Sequence, residues 1–147
     1  MSHITTIKTE IRDLDALRSA CLECGAVFVE GQTTYQWFGE SVGDYPLPEG
    51  ITKEQLGKCS HVIRVPGVEY EIGVVQKPNG HWTLAYDFWG PGQGLLRKFG
   101  EGCQRLLQLY AVHKTIREAR RKGYTAQRQQ LKDGSVKLVL LATGGAA

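Results

Sequence analysis

The stretch VEYEIGVVQKPNGHWTLAYDF, residues 68–88, alternates apolar and polar side chains on both sides of a four-residue turn. Val68, Tyr70, Ile72 and Val74 point one way before KPNG, and Trp82, Leu84, Tyr86 and Phe88 do the same after it. A period of two over both arms, with Asn-Gly in the turn, specifies an antiparallel hairpin with one face buried. Trp82 belongs to that face. The rest of the chain must supply what covers it.

Two stretches have the helical period that such a cover needs. After HITTIKTEI (residues 3–11), read as a strand from Thr5, Ile7, Thr9 and Ile11, Asp13 stands as a helix N-cap and Gly25 as the residue past the helix end. Between them Leu14, Leu17, Cys21 and Cys24 form one apolar stripe. The second stretch runs from about Leu95 to Lys122, where Leu96, Phe99, Cys103, Leu106, Tyr110 and His113 recur at steps of three and four before Gly123. AVFVEG, TYQWFG and HVIRV read as further short strands, and YTAQRQQL, DG and SVKLVLLA as a closing hairpin. The expectation is an α+β fold: one mainly antiparallel sheet with two helices packed on a face, in the order β-α-β-β-β-β-β-α-β-β.

The 147 residues fit a single domain, with 41% apolar content to fill one core. Residues 39–59, rich in Gly, Pro and acid, read as a long irregular excursion in which Thr52 and Gln55 are spaced to cap one helical turn. The tail 143–147 reads as frayed. No run approaches the roughly 18 apolar residues of a membrane span, and the N-terminus lacks a basic region followed by an apolar stretch. The expected location is cytoplasmic or plastid-stromal, with the four cysteines as reduced thiols.

Charge is unevenly placed. Residues 1–90 hold seven Lys/Arg against twelve Asp/Glu, a balance of −5, and residues 91–147 hold eleven against three, +8, which together give +3. Three readings follow: an acidic partner, a nucleic acid, or attraction between the two halves of the fold.

A resemblance accompanies these patterns. MSHITTIKTEIRDLDAL at the start, Asp87 before the glycine turn, Tyr110-Ala111, and LYAVHKTIREARRKGY with DGSVKLVL towards the end are similar to an uncharacterised family that includes the hypothetical chloroplast reading frame thirty-five protein, with relatives in cyanobacteria, other bacteria and phage. The resemblance covers most of the chain and is least in the loop from Gly39 to Lys58. It implies a compact domain, adds no catalytic residues, and suggests service beside other proteins as an accessory subunit.

Three constellations are candidates for function. Cys21 and Cys24 have the spacing of a metal or redox pair. Zinc, however, wants four ligands, while Cys59 and Cys103 each stand alone. The pair lies on an apolar stripe near a helix C-terminus, where the dipole raises rather than lowers a thiol pKa, so core packing is the preferred reading. The second is DFWGPGQGLLRK, with Asp87, Trp89, Gly92, Gln93, Arg97 and Lys98. Its glycines open a helix whose free N–H groups suit an anion or a partner carboxylate, and two cations in the first turn fit that use. Gly-Leu-Leu replaces the Gly-Lys-Ser/Thr of a nucleotide-phosphate loop, and a plain strand-to-helix turn is the preferred reading of the glycines. The third is the basic helix end, Lys114, Arg117, Arg120, Arg121 and Lys122, either compensation of the helix dipole or a binding patch.

No catalytic signature emerges. The histidines at 3, 61, 81 and 113 are scattered, and His113 on its stripe reads as a satisfied core or interface side chain. No cofactor is implied. The expected function is that of a non-enzymatic accessory or regulatory protein acting through contact with another protein. RNA or single-stranded DNA binding by the basic half is the alternative, and metal or redox chemistry at Cys21 and Cys24 a third.

Overall fold

The expected hairpin lies at the centre of the sheet. In the computed structural model, which describes residues 3–40 and 45–142, β4 (Ile72–Gln76) and β5 (Trp82–Asp87) pair antiparallel with Val74 opposite Leu84. Lys77 and Gly80 close the turn through N–H bonds to the His81 and Lys77 carbonyls. The first arm is shorter than the alternation suggests. Val68 and Tyr70 precede the strand, although Tyr70 is buried in the same cluster as Ile72 and Val74.

Three more strands complete the main sheet: β1 (Ile4–Thr6), β2 (Val27–Glu30) and β3 (His61–Arg64). The order is β1-β5-β4-β3-β2, with every neighbouring pair antiparallel. The strand expected over 3–11 is β1 plus a single bridge from Ile11 to Trp82. The helices are α1 (Leu14–Glu23), α2 (Gln93–Phe99) and α3 (Gln104–Arg121), and the C-terminal hairpin is β6 (Tyr124–Gln130) with β7 (Val136–Ala142). The α+β class and the antiparallel sheet are those expected from the sequence. The C-terminal hairpin forms a two-stranded sheet of its own.

One face of the main sheet carries the helices. Ile63, Ile72, Val74, Leu84 and Tyr86 meet Leu17, Cys21, Phe99, Leu106 and Tyr110 in a single cluster, with Trp82 packed beside it. Asp13 caps α1 by accepting from the Ala16 N–H at 3.1 Å. The Tyr110 hydroxyl accepts from the Arg12 and Asp13 N–H groups at 2.9 and 3.2 Å, fixing the α1 entry against α3.

The single helix expected over 95–122 is two helices. Gly100, Gly102 and Cys103 adopt left-handed φ of 79°, 64° and 56°, which ends α2 and starts α3 after one turn of 3-10 helix. Two glycines make that conformation accessible. The apolar spacing nevertheless runs on through the break, because Phe99, Cys103, Leu106 and Tyr110 all reach the same core.

The other face is covered by the irregular segment. Tyr35, Leu56, Trp37 and Ile51 pack on Val62, Ala85 and Val75. TYQWFG is therefore no strand beyond a bridge from Thr34 to Lys58. Its aromatic side chains seal the sheet instead, and Tyr35 lies so close over β4 that a Cβ at Gly73 would meet its ring. Glu71, buried at this face, accepts from the Gln36 N–H at 2.8 Å and from Arg64 at 3.0 Å. The turn at Lys53–Gln55 is capped as its spacing suggests, with the Gln55 side chain accepting from the Thr52 N–H at 2.7 Å. Residues 41–44 of the excursion, Ser2, and the tail 143–147 lie outside the described residues.

Candidate partner-binding surface

Asp87 ends β5 on the loop-covered face and is wholly enclosed, 0% exposed. A buried carboxylate needs hydrogen-bond donors around it, and among the described residues Asp87 has three. Oδ1 accepts from the His3 and Trp89 N–H groups at 2.9 and 3.1 Å, and Oδ2 from that of Phe38 at 3.2 Å. One side chain thus ties the entry to β1, the loop before residue 40, and the glycine turn. Asp87 shapes this surface from beneath and presents nothing to a partner itself.

The turn beyond it is tight. Gly90–Gly92 make a 3-10 turn with Pro91 inside it, and a Cβ at Gly92 would collide with the Asp87 carbonyl oxygen. The Gly92 N–H bonds to the Trp89 carbonyl, that of Gln93 to the Gly90 and Pro91 carbonyls, and the Gln93 side chain donates to the Phe88 carbonyl at 2.8 Å. These three donors are turned inward and engaged within the turn. Arg97 and Lys98 stand differently from the sequence reading. The helix stops at Phe99, so they occupy its last turn, where the dipole favours cations without any ligand.

What this surface does present is aromatic. Trp89 is 42% exposed, Phe38 44% and Tyr45 38%. His3 joins them, its ring 4.7 Å from Tyr45 in a stacked pair, 4.5 Å from Trp89 and 5.5 Å from Phe88. Tyr45 meets Phe88 edge-on at 5.4 Å. Sequence reasoning found Trp89 but missed His3, Phe38 and Tyr45. The first follows a strand pattern that spoke only for its alternating neighbours, and the others lie in segments without a period.

The basic helix end is partly neutralised. Arg117 donates to Asp13 at 2.9 Å and to Asp15 at 3.2 Å, while Lys114 pairs with Glu118 at 2.9 Å. Bonding to Ala16 and Arg117 holds the Asp13 carboxyl below its usual range despite partial burial. Beyond the helix Arg128 grips Glu23, which His113 also reaches at 2.9 Å. The acidic N-terminal half and the basic C-terminal half therefore meet within the molecule. Arg12, Lys114, Arg117 and Arg121 line an open cleft of about 510 Å³ together with Asp13, Asp15 and Glu118. Arg120, Arg121 and Lys122 remain exposed and form no ion pair among the described residues.

The cysteines are packed in the protein. Cys21 and Cys103 are buried, and burial pushes both thiols up to about 12. The Cys24 thiol donates to the Cys21 carbonyl at 3.4 Å. Burial raises Cys59 to about 11, and its thiol donates to the Gln32 carbonyl. Among the described residues no group of three His, Cys, Asp or Glu side chains is placed to hold a metal ion.

Comparison with known proteins adds one match. The model of a family described as proteins of unknown function, DUF1257, covers residues 49–139, more than half of the chain. The chain belongs to this family. No curated protein and no solved structure matches it. The matched span of this DUF1257 member includes the central hairpin, the glycine turn and α3, but begins after His3 and Phe38. No helix among the described residues is long and apolar enough to cross a membrane.

Proposed function

We propose that this DUF1257 member is a non-enzymatic accessory or regulatory protein of the cytoplasm or plastid stroma, acting by contact with another protein. The observation that carries the reading is the group of exposed aromatic rings: Trp89 at the glycine turn, Phe38 tied to the same Asp87 carboxylate, and Tyr45 packed against His3 and Phe88. Large aromatic side chains contribute most to protein interfaces, and presenting them from a fixed backbone lowers the entropy lost on binding. An untagged pull-down from native extract tests it. A stoichiometric partner retained by the wild type and lost with Trp89→Ala, in a variant of unchanged circular dichroism, supports the reading.

Nucleic-acid binding is the second reading, favoured by Arg120, Arg121 and Lys122, which are exposed and form no ion pair among the described residues. It has less to draw on than the sequence suggests, since Arg117 and Lys114 are engaged within the fold. Oligonucleotide binding with a steep salt dependence, abolished by Arg120→Glu with Arg121→Glu, would replace the first reading with this one.

A further inference from the structure

β7, residues 136–142, reads VKLVLLA: six apolar residues and one lysine. Apolar side chains on both faces are the composition of a strand inside a sheet, covered above and below. Its position is the opposite. Among the described residues β7 pairs only with β6, and Leu140 and Leu141, on opposite faces of the strand, are each 46% exposed. The edge strands of the main sheet follow the usual protected pattern of short length: β1 has three residues and β2 four, the latter closing on Glu30. β7 has seven. An isolated two-stranded ribbon is also marginal by itself.

The two edges of this ribbon differ. β6 reads YTAQRQQ, polar along most of its length and charged at Arg128. The β7 edge has a single charge, Lys137. The hairpin register fixes which backbone groups face out. Leu131 donates to the Ser135 carbonyl at 2.9 Å, so the alternation of antiparallel bonds turns Lys137, Val139 and Leu141 towards β6 and leaves Leu138 and Leu140 facing the open edge.

We propose that β7 pairs antiparallel with β7 of a second copy of this chain, about a twofold axis at Val139, making a four-stranded sheet β6-β7-β7-β6. Self-complementarity of the strand favours this occupant. In that register each Lys137 faces Leu141 of the other copy, so no like charges meet, and every residue from 136 to 142 finds an opposite number. The polar β6 strands become the outer edges, and because they are not sticky the assembly closes as a dimer instead of growing as a filament. This surface is separate from the aromatic turn, and neither proposal depends on the other.

Sedimentation of the full chain over a range of concentrations reads the assembly directly, the expected species having twice the 16.3 kDa mass of the chain. Leu140→Pro removes an outward N–H without taking a bond from β6, and is expected to raise the dimer dissociation constant roughly 100-fold. Should that variant misfold, cysteine pairing decides. In a background with Cys24→Ser and Cys59→Ser, mild oxidation is expected to cross-link Val139→Cys, which meets itself across the axis at a non-hydrogen-bonded position, but not Leu141→Cys, which meets Lys137. A chain that stays monomeric at every concentration overturns the proposal, whether or not it binds a strand of some other protein. So does a dimer that Leu140→Pro leaves intact, or one in which Val139→Cys does not cross-link.

Discussion

Arg128 grips Glu23 with both arms of its guanidinium, Nη1 to Oε1 at 2.6 Å and Nη2 to Oε2 at 2.7 Å, joining β6 to the end of α1 across 105 residues. Among the described residues no backbone ladder joins the C-terminal ribbon to the main sheet, and this pair ties the ribbon to α1. Bidentate geometry makes such a pair stronger than an ordinary surface contact. Glu23→Gln is expected to loosen the ribbon by about 1 kcal/mol, raising hydrogen exchange in β6 and β7 roughly fivefold while the main sheet keeps its protection.

The same pair sets an acid limit. Arg128 first, with His113 adding to it, lowers the Glu23 carboxyl from 4.5 to about 2. A carboxyl lowered in the folded state contributes stability that is fully present above its unfolded value and disappears as pH falls through the folded one. The tie is therefore intact at neutral pH and is lost between about pH 4.5 and 2. Ribbon amides followed by exchange across that window should lose protection in the wild type and show a much flatter response in Glu23→Gln.

Gly92 and Gly94 lie two residues apart but answer to different neighbours. A Cβ at Gly92 would run into the Asp87 backbone, whereas one at Gly94 would press, at 2.8 Å, on the Val68 side chain. Backbone cannot yield as a side chain can. Gly92→Ala is expected to cost about 3 kcal/mol or more and Gly94→Ala about 1–2 kcal/mol, measured by denaturant midpoints at constant slope.

Gly73 and Tyr35 make a second such test, on the loop-covered face. Gly73→Ala drives the Tyr35 ring off β4, with an expected cost of about 2–3 kcal/mol. Tyr35→Ala alone leaves a cavity of comparable cost. Since the substituted methyl fills part of that cavity, the double variant should be more stable than the sum of the two single losses, by about 1 kcal/mol or more in a double-mutant cycle.

The central hairpin and the helix stripes were legible because alternation at two and recurrence at three and four are properties of neighbouring residues. The break before α3 was not. The stripe from Phe99 to Tyr110 keeps its spacing across Gly100–Cys103, so periodicity alone passes over it, and Arg97 and Lys98 were assigned to the wrong end of a helix. Nor was the second face of the sheet, since Tyr35, Trp37 and Leu56 sit in a segment with no period and are brought together by packing alone. Of the aromatic surface, only Trp89 lies in a motif. His3 reaches it through a bond to Asp87, 84 residues away.

Cys21 and Cys24 separate on exposure although they share a helix. Burial holds the Cys21 thiol near 12, leaving almost no thiolate at neutral pH, while Cys24 is half-buried. A soluble maleimide should label Cys24 in the native protein and reach Cys21 and Cys103 only on unfolding. Cys21→Ala is expected to cost about 1–2 kcal/mol through lost packing in the helix-side core and to leave partner binding unchanged.

Asp87 gives the sharpest separation of shaping from contact. Asp87→Ala would strand the N–H groups of His3, Phe38 and Trp89 in a buried site, at a cost of about 3 kcal/mol or more. Asp87→Asn keeps an acceptor oxygen but sets an amide donor against N–H groups, so about 1–2 kcal/mol is expected. Because the carboxylate is enclosed, neither change removes an atom that a partner touches. If the aromatic rings are the contact, a variant that folds with a displaced turn loses the partner as Trp89→Ala does. Chemical shifts of the Trp89 indole would then report the displacement, and adding a ligand-free stabiliser such as sucrose should restore both the shift and the binding in Asp87→Asn but neither in Trp89→Ala.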